Sequence, residues 1–137
     1  MSDRHPTIVV SVCIIGPEGV LLVERGREPF KGRFSLPGGR IGLGEPLEVA
    51  ARRELLEETG LRIDAARFLC LHETIGETHH TVIAVHRAEL PPGALPVAGD
   101  DAASLRFVPL GEIERFESEG RTTPGLAGIV WSAAREP

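Results

Sequence analysis

At 137 residues and a formal charge of -5, the chain is the size of one domain, able to remove roughly two-thirds of its unfolded surface from water. Its acidic balance argues against DNA or RNA as a stable partner, because basic surface is what displaces the counterions condensed on a nucleic acid. A phosphate-bearing small molecule stays open, provided that cations reverse the local sign.

Thr7 to Ile15 reads as a core strand, Gly16-Pro17-Glu18-Gly19 as a turn, and Val20 to Arg25 as the returning strand. Pro17 argues against a simple two-residue reverse turn in this hairpin. Gly26 to Gly44 is a Gly/Pro-rich loop anchored by Phe30, Phe34 and Leu36, of a kind that lets backbone approach a ligand. Pro46 suits a first helical turn, and Gly60 suits the left-handed position after a helix ending at about Thr59. Leu47, Ala51, Leu55 and Leu56 supply that helix's inward stripe. Two longer strands follow, Leu61 to Ile75 with a bulge or bend, and Thr81 to Leu90. Leu105 to Pro109 is a short strand. Leu110 to Phe116 is a short helix with Ile113 and Phe116 inward, and Thr123-Pro124 opens a closing helix. This order predicts one domain with a mixed β-sheet covered by helices.

Cys13 and Cys70 lie in apolar strand-like runs, so buried reduced thiols are expected rather than a disulfide scaffold. The N-terminus lacks the basic-then-apolar arrangement of a secretion signal, and no apolar run approaches spanning length. A cytoplasmic protein without a membrane partner is the expectation.

The chemistry concentrates in the helix. Glu54, Glu57 and Glu58 stand three and four residues apart, on one helical side. Their repulsion weakens a bare helix by a few tenths of a kcal/mol per pair, roughly, and divalent cations would turn it into binding. Oxygen ligands without a Cys/His set favour Mg²⁺ or Mn²⁺. Arg53, four residues before Glu57, is placed to orient that carboxylate. Glu45, just ahead of the helix, can cap backbone N–H groups or stand in the metal's outer shell.

Gly39 to Leu61, 23 residues, resembles the Nudix box without a mismatch. Glycine is followed after five residues by Glu45, after seven more by Arg53-Glu54-Leu55, then by Glu57-Glu58 and Gly60-Leu61. The resemblance implies an α/β/α sandwich that hydrolyses a nucleoside diphosphate linked to another moiety. It implies Glu54, Glu57 and Glu58 as metal ligands, with the Gly38 carbonyl a further one and with Arg53 and Glu45 arranging the helix. Glu57 or Glu58 would hold the ion that activates water. Family members that use a carboxylate outside the box direct attention to Asp100 and Asp101, with Glu73, Glu77 and Glu89 as competitors.

Around the box, Arg25 is a candidate phosphate contact or an edge charge. Phe30 and Phe34 offer base-stacking surfaces or cover for the sheet. His79-His80 reads as polar turn or strand residues rather than zinc ligands. The chain is most similar to small bacterial ADP-ribose pyrophosphatase-like Nudix proteins, which implies ADP-ribose cleaved to AMP and ribose 5-phosphate. A MutT-type nucleoside-triphosphate pyrophosphohydrolase is the enzyme alternative. A non-catalytic nucleotide-binding regulatory domain is the alternative of another class, disfavoured by the intact acidic set. Homodimerisation is common in the family, so a homodimer is compatible with the resemblance.

Overall fold

The computed structural model describes residues 5–99 and 102–135. Its strands are β1 (Thr7–Gly16), β2 (Gly19–Arg25), β3 (Phe34–Ser35), β4 (Gly38–Arg40), β5 (Arg67–Ile75), β6 (His80–Glu89) and β7 (Ala102–Val108). Its helices are α1 (Leu47–Thr59), α2 (Ile113–Ser118) and α3 (Leu126–Arg135), with a 3₁₀ turn at Leu110–Glu112 leading into α2. The strands form one mixed sheet. The order β3-β2-β1-β6-β5 is its spine, and β4 and β7 pair with β1 and β2 off that path. β1 and β6 pair in parallel, from Thr7 opposite Thr81 to Ile15 opposite Glu89.

Strand alternation divides the core in two. Val10, Val12 and Ile14 of β1 join Leu21 and Ala84 under Ala50, Ala51 and Leu55 of α1. Cys13, Val20, Leu22 and Val85 face the other way, against Ile113 and Phe116 of α2 and Leu126, Val130 and Ala133 of α3. Each fully buried Val, Leu or Ile contributes about 1.5–3 kcal/mol of transfer free energy, so both helical layers are held by their apolar stripes. The result is the expected α/β/α sandwich. Among the described residues no helix is long and apolar enough to cross a membrane.

Several local expectations change. Gly16 pairs with Gly19, so Pro17 and Glu18 alone make the hairpin turn. A fixed φ suits proline at the first corner, and Gly19 at φ +123° absorbs the twist that this turn would otherwise impose on the strands. The Gly26–Gly44 loop contains the short strands β3 and β4, with β4 running against Val9–Ser11 of β1. β5 starts at Arg67 rather than Leu61; Leu61, Ile63 and Ala66 reach the core from loop backbone. The expected bulge is present, between Phe68 and Cys70. On α1, Leu47 is 39% exposed and Ala50 takes its place inward. β7 begins earlier than expected, at Ala102, and Pro124 lies in the turn before α3. Cys13 and Cys70 are both free. Cys13 is buried, and desolvation pushes its thiol up to about 12, whereas Cys70 is only part-buried.

Candidate active site

α1 ends where its sequence dictates. Gly60 takes φ +72°, and its N–H donates to the Leu56 carbonyl at 2.9 Å. Thr59, buried inside the last turn, turns its hydroxyl back onto the Leu55 carbonyl at 2.7 Å. The Pro91–Gly99 loop closes over this end, with Val97 and Gly99 donating to the Thr59 and Glu58 carbonyls at 2.8 Å each. The helix is thereby fixed at both its core face and its C-terminus, and its acidic face is left to meet β4.

Arg53 organises that face. Its Nε and Nη2 hold the two Glu45 oxygens at 2.7 and 2.9 Å. Nη1 donates to Glu54 at 2.9 Å and to Glu57 at 2.8 Å, while Nη2 also reaches the Arg40 carbonyl at 3.0 Å. A single guanidinium therefore binds three carboxylates and the end of β4. Its planar fork makes the bidentate grip on Glu45 possible. These carboxylates raise the Arg53 pKa further above its ordinary value, the Glu45 bond contributing most.

Glu45 does not cap the helix. Its Oε1 accepts the Gly42 N–H at 2.8 Å instead, tying the entry loop to Arg53. The Arg53 bond first, and the Gly42 bond second, hold the Glu45 carboxyl down at about 2. Folding thus favours its ionised form, a contribution that is complete above about pH 4.5 and is lost as the pH falls toward 2. An acid titration of unfolding free energy should therefore be shallower between these values for Glu45→Gln than for the natural protein; identical slopes would show that the bond does not couple to folding.

Glu54 behaves in the opposite way. Burial pushes its carboxyl up, against the pull of Arg53. Glu58 turns toward the sheet and accepts the Gly38 N–H at 2.6 Å. Glu57 is the open member, 54% exposed at its side chain. Among the described residues no group of three carboxylate, imidazole or thiol side chains is closed on one point. Glu54 and Glu57 converge on the Arg53 cation, while Glu58 is drawn to β4. The donors are hard oxygens throughout, which fits a hard divalent cation.

The glycines at the strand edge have separate tasks. A Cβ on Gly38 would lie 2.0 Å from the Val10 carbonyl oxygen, and one on Gly39 would lie 2.3 Å from Glu54 Oε2. Backbone cannot yield as a carboxylate can. Gly38→Ala is expected to lower the melting temperature by several degrees, corresponding to roughly 1–3 kcal/mol of overpacking. Gly39→Ala is expected to melt near the natural value and to lose activity by displacing Glu54. Parallel thermal melts and assays separate the two, and equal effects on both readouts would contradict the division.

The outlying candidates divide. Arg25, at the end of β2, lies within electrostatic range of Glu58 and donates from Nε to the Pro29 carbonyl at 2.7 Å. Burial lowers its pKa, and Glu58 opposes that shift. Phe30 meets the His79 ring edge-on with centroids 5.5 Å apart. Phe34 lies in β3 against the α2–α3 core, with Arg106 over its ring. Glu73 is paired with His80 at 2.8 Å, and Glu89 stands opposite Ile15, at the far end of β1 from the Gly38 edge. Glu77 is exposed on the β5–β6 turn. Asp100 and Asp101 lie outside the described residues. Sequence reading missed His79 as a neighbour of Phe30 and the Gly38 N–H as a partner of Glu58, because both contacts join segments far apart in the chain.

The NUDIX domain pattern matches residues 5–126. An ADP-ribose pyrophosphatase of Methanocaldococcus jannaschii is 34% identical over 114 residues, covering 82% of this chain and 67% of that protein. An oxidized purine nucleoside triphosphate hydrolase of Danio rerio is 37% identical over 84 residues, 60% of this chain and 54% of that protein. The aligned regions thus span between about half and two-thirds of these relatives. A MutT Nudix hydrolase from Burkholderia pseudomallei superposes with a TM-score of 0.81 at 26% identity, covering 94% of this chain and 98% of that one. Since residues 5–126 contain the acidic helix, the β4 edge on which it rests and most of both cores, the chain belongs to the Nudix family, and its enzyme class is that of a pyrophosphohydrolase.

Proposed function

We propose that the protein hydrolyses the diphosphate linkage of ADP-ribose, giving AMP and ribose 5-phosphate, with Mg²⁺ or Mn²⁺ as its cofactor. The observation that carries this reading is the Arg53-centred set of carboxylates on α1 facing the Gly38–Gly39 edge. The 34% identity to a protein named for ADP-ribose supports the substrate. The 37% identity over a shorter region to a protein named for oxidised purine triphosphates supports the MutT-type reading as the second.

Glu54, Glu57 and Glu58, with the Gly38 carbonyl, are the groups that would hold the metal. Bound there, a divalent cation offsets diphosphate charge and lowers the pKa of an attacking water. Arg53 keeps Glu54 and Glu57 in register with each other and, through Glu45, with the entry loop. The Gly38 N–H aims Glu58 at the strand edge. Glu57, being exposed, is the carboxylate open to solvent water. Arg25 is the cation near this face that a phosphate oxygen would meet. Overall, water adds to one phosphorus as the bridging P–O bond breaks, and each product leaves with one phosphate. The free thiols motivate a cytoplasmic location.

The test is incubation with ADP-ribose, nucleotide sugars, dinucleoside polyphosphates, and normal and oxidised nucleoside triphosphates, with each metal, followed by chromatography of products. AMP and ribose 5-phosphate from ADP-ribose are expected. Pyrophosphate released from triphosphates with ADP-ribose spared would establish the MutT-type reading instead. No turnover of any member by folded protein would overturn the enzymatic proposal.

A further inference from the structure

The loop between β2 and β3 leaves the sheet at Arg25, which lies within electrostatic range of Glu58 on α1, and backbone hydrogen bonds cross within it. Gly32 donates to the Arg25 carbonyl at 2.9 Å, Arg33 to that of Phe30 at 3.0 Å, and Arg25 to that of Arg33 at 2.9 Å. At its tip Phe30 holds φ +63°, a conformation unusual for a bulky L residue. A residue held this way needs contacts that over-determine it. Two are present: the Arg33 guanidinium lies 5.5 Å from the Phe30 centroid, and the His79 ring meets Phe30 at 84°.

His79 belongs to the turn between β5 and β6, on the other side of β1 from β2. Among the described residues no backbone hydrogen bond joins this turn to the loop. The turn is shaped to hold the imidazole. Gly76 donates to the His79 carbonyl at 2.8 Å, and a Cβ on Gly76 would sit 2.5 Å from His79 Cε1, so the ring packs on bare backbone. Its Nε2 is shut away from solvent, with no hydrogen-bond partner among the described residues.

We propose that His79 is a positioning residue for the substrate: its ring fastens the Phe30 loop and so sets the placement of Arg25 against the substrate diphosphate. Arg25 links the two ends, since it grips the Pro29 carbonyl next to Phe30 and lies within electrostatic range of Glu58. The substrate part of this proposal rests on the diphosphate-hydrolase reading above, whereas the fastening itself does not.

The experiment compares natural protein with His79→Ala and His79→Phe. Phenylalanine keeps an aromatic edge and removes the orphan nitrogen. Hydrogen exchange of the ligand-free proteins reads the fastening, and KM and kcat with ADP-ribose and an oxidised nucleoside triphosphate read its consequence. For His79→Ala, the Gly32 and Arg33 amides should exchange about tenfold faster or more. Its KM should rise about tenfold with kcat within about threefold, and His79→Phe should restore both readouts. Unchanged exchange in His79→Ala would overturn the fastening. Faster exchange with an unchanged KM would overturn the positioning role and leave the hydrolase reading intact. If natural protein turned over neither substrate, the hydrolase reading and the positioning role would fall, while exchange would still decide the fastening.

Discussion

Arg53→Lys is expected to lower kcat/KM by about 100-fold or more, because small misplacements of a reacting constellation cost that much. The guanidinium makes bonds to Glu45, Glu54, Glu57 and the Arg40 carbonyl from three nitrogens fixed in one plane. A lysine ammonium keeps the charge but is a point on a flexible stem and cannot span Glu45 bidentately while bridging Glu54 and Glu57. The substitution therefore tests geometry apart from charge. Its side chain is 38% exposed, so the fold should survive, as circular dichroism would report. Retention of kcat/KM within about threefold would show that charge alone suffices, contrary to the positioning role drawn from the bidentate geometry.

Glu58→Gln carries the second large effect, a loss of about 10²–10⁴-fold in kcat, the range associated with removing a group that handles water or its activating ion. Glu58 has two duties that the amide cannot both fulfil. It accepts the Gly38 N–H at 2.6 Å, a charge-assisted bond, and it supplies part of the negative charge that would hold a divalent cation. Glu57→Gln should show a comparable loss for the second reason alone, since Glu57 is open to solvent and an amide oxygen in its place can still accept from Arg53. Raising the metal concentration should recover part of the activity in both variants. Full activity in either at ordinary metal concentration would remove that residue from the site.

These effects were readable from sequence to different degrees. α1 could be placed because its determinants are local: Pro46 ahead of it, Gly60 behind it, and carboxylates at helical spacing between. The Arg53–Glu57 bond follows from the same spacing. On the inward stripe size points to Leu47 but position decides: the contact with β1 accepts Ala50 and Ala51, while Leu47 faces out. The short strands β3 and β4 leave no trace in the sequence, since two or three residues carry no period and their pairing is with β2 and β1. The alternation of Leu61, Ile63 and Ala65 imitates a longer β5, yet these residues belong to loop backbone in which Leu61, Ile63 and Ala66 are buried with α1 and Ala65 is exposed. The sequence marks Gly38 for its carbonyl and Gly39 as the first residue of the box. That one yields to the Val10 carbonyl and the other to the Glu54 carboxylate depends on strand pairing and helix docking together. Likewise the sequence offers Phe30 for its aromatic face and His79 as a polar turn residue, and it is the sheet order that brings their segments together.

The most direct test of the acidic helix as the catalytic metal centre is Mn²⁺ binding, followed by electron paramagnetic resonance, measured alongside ADP-ribose hydrolysis in natural protein and in the combined Glu54→Gln, Glu57→Gln, Glu58→Gln variant. The expected result is that the folded variant loses both bound Mn²⁺ and turnover, while natural protein shows both. A folded variant that still bound the ion and released AMP at the natural rate would contradict the assignment.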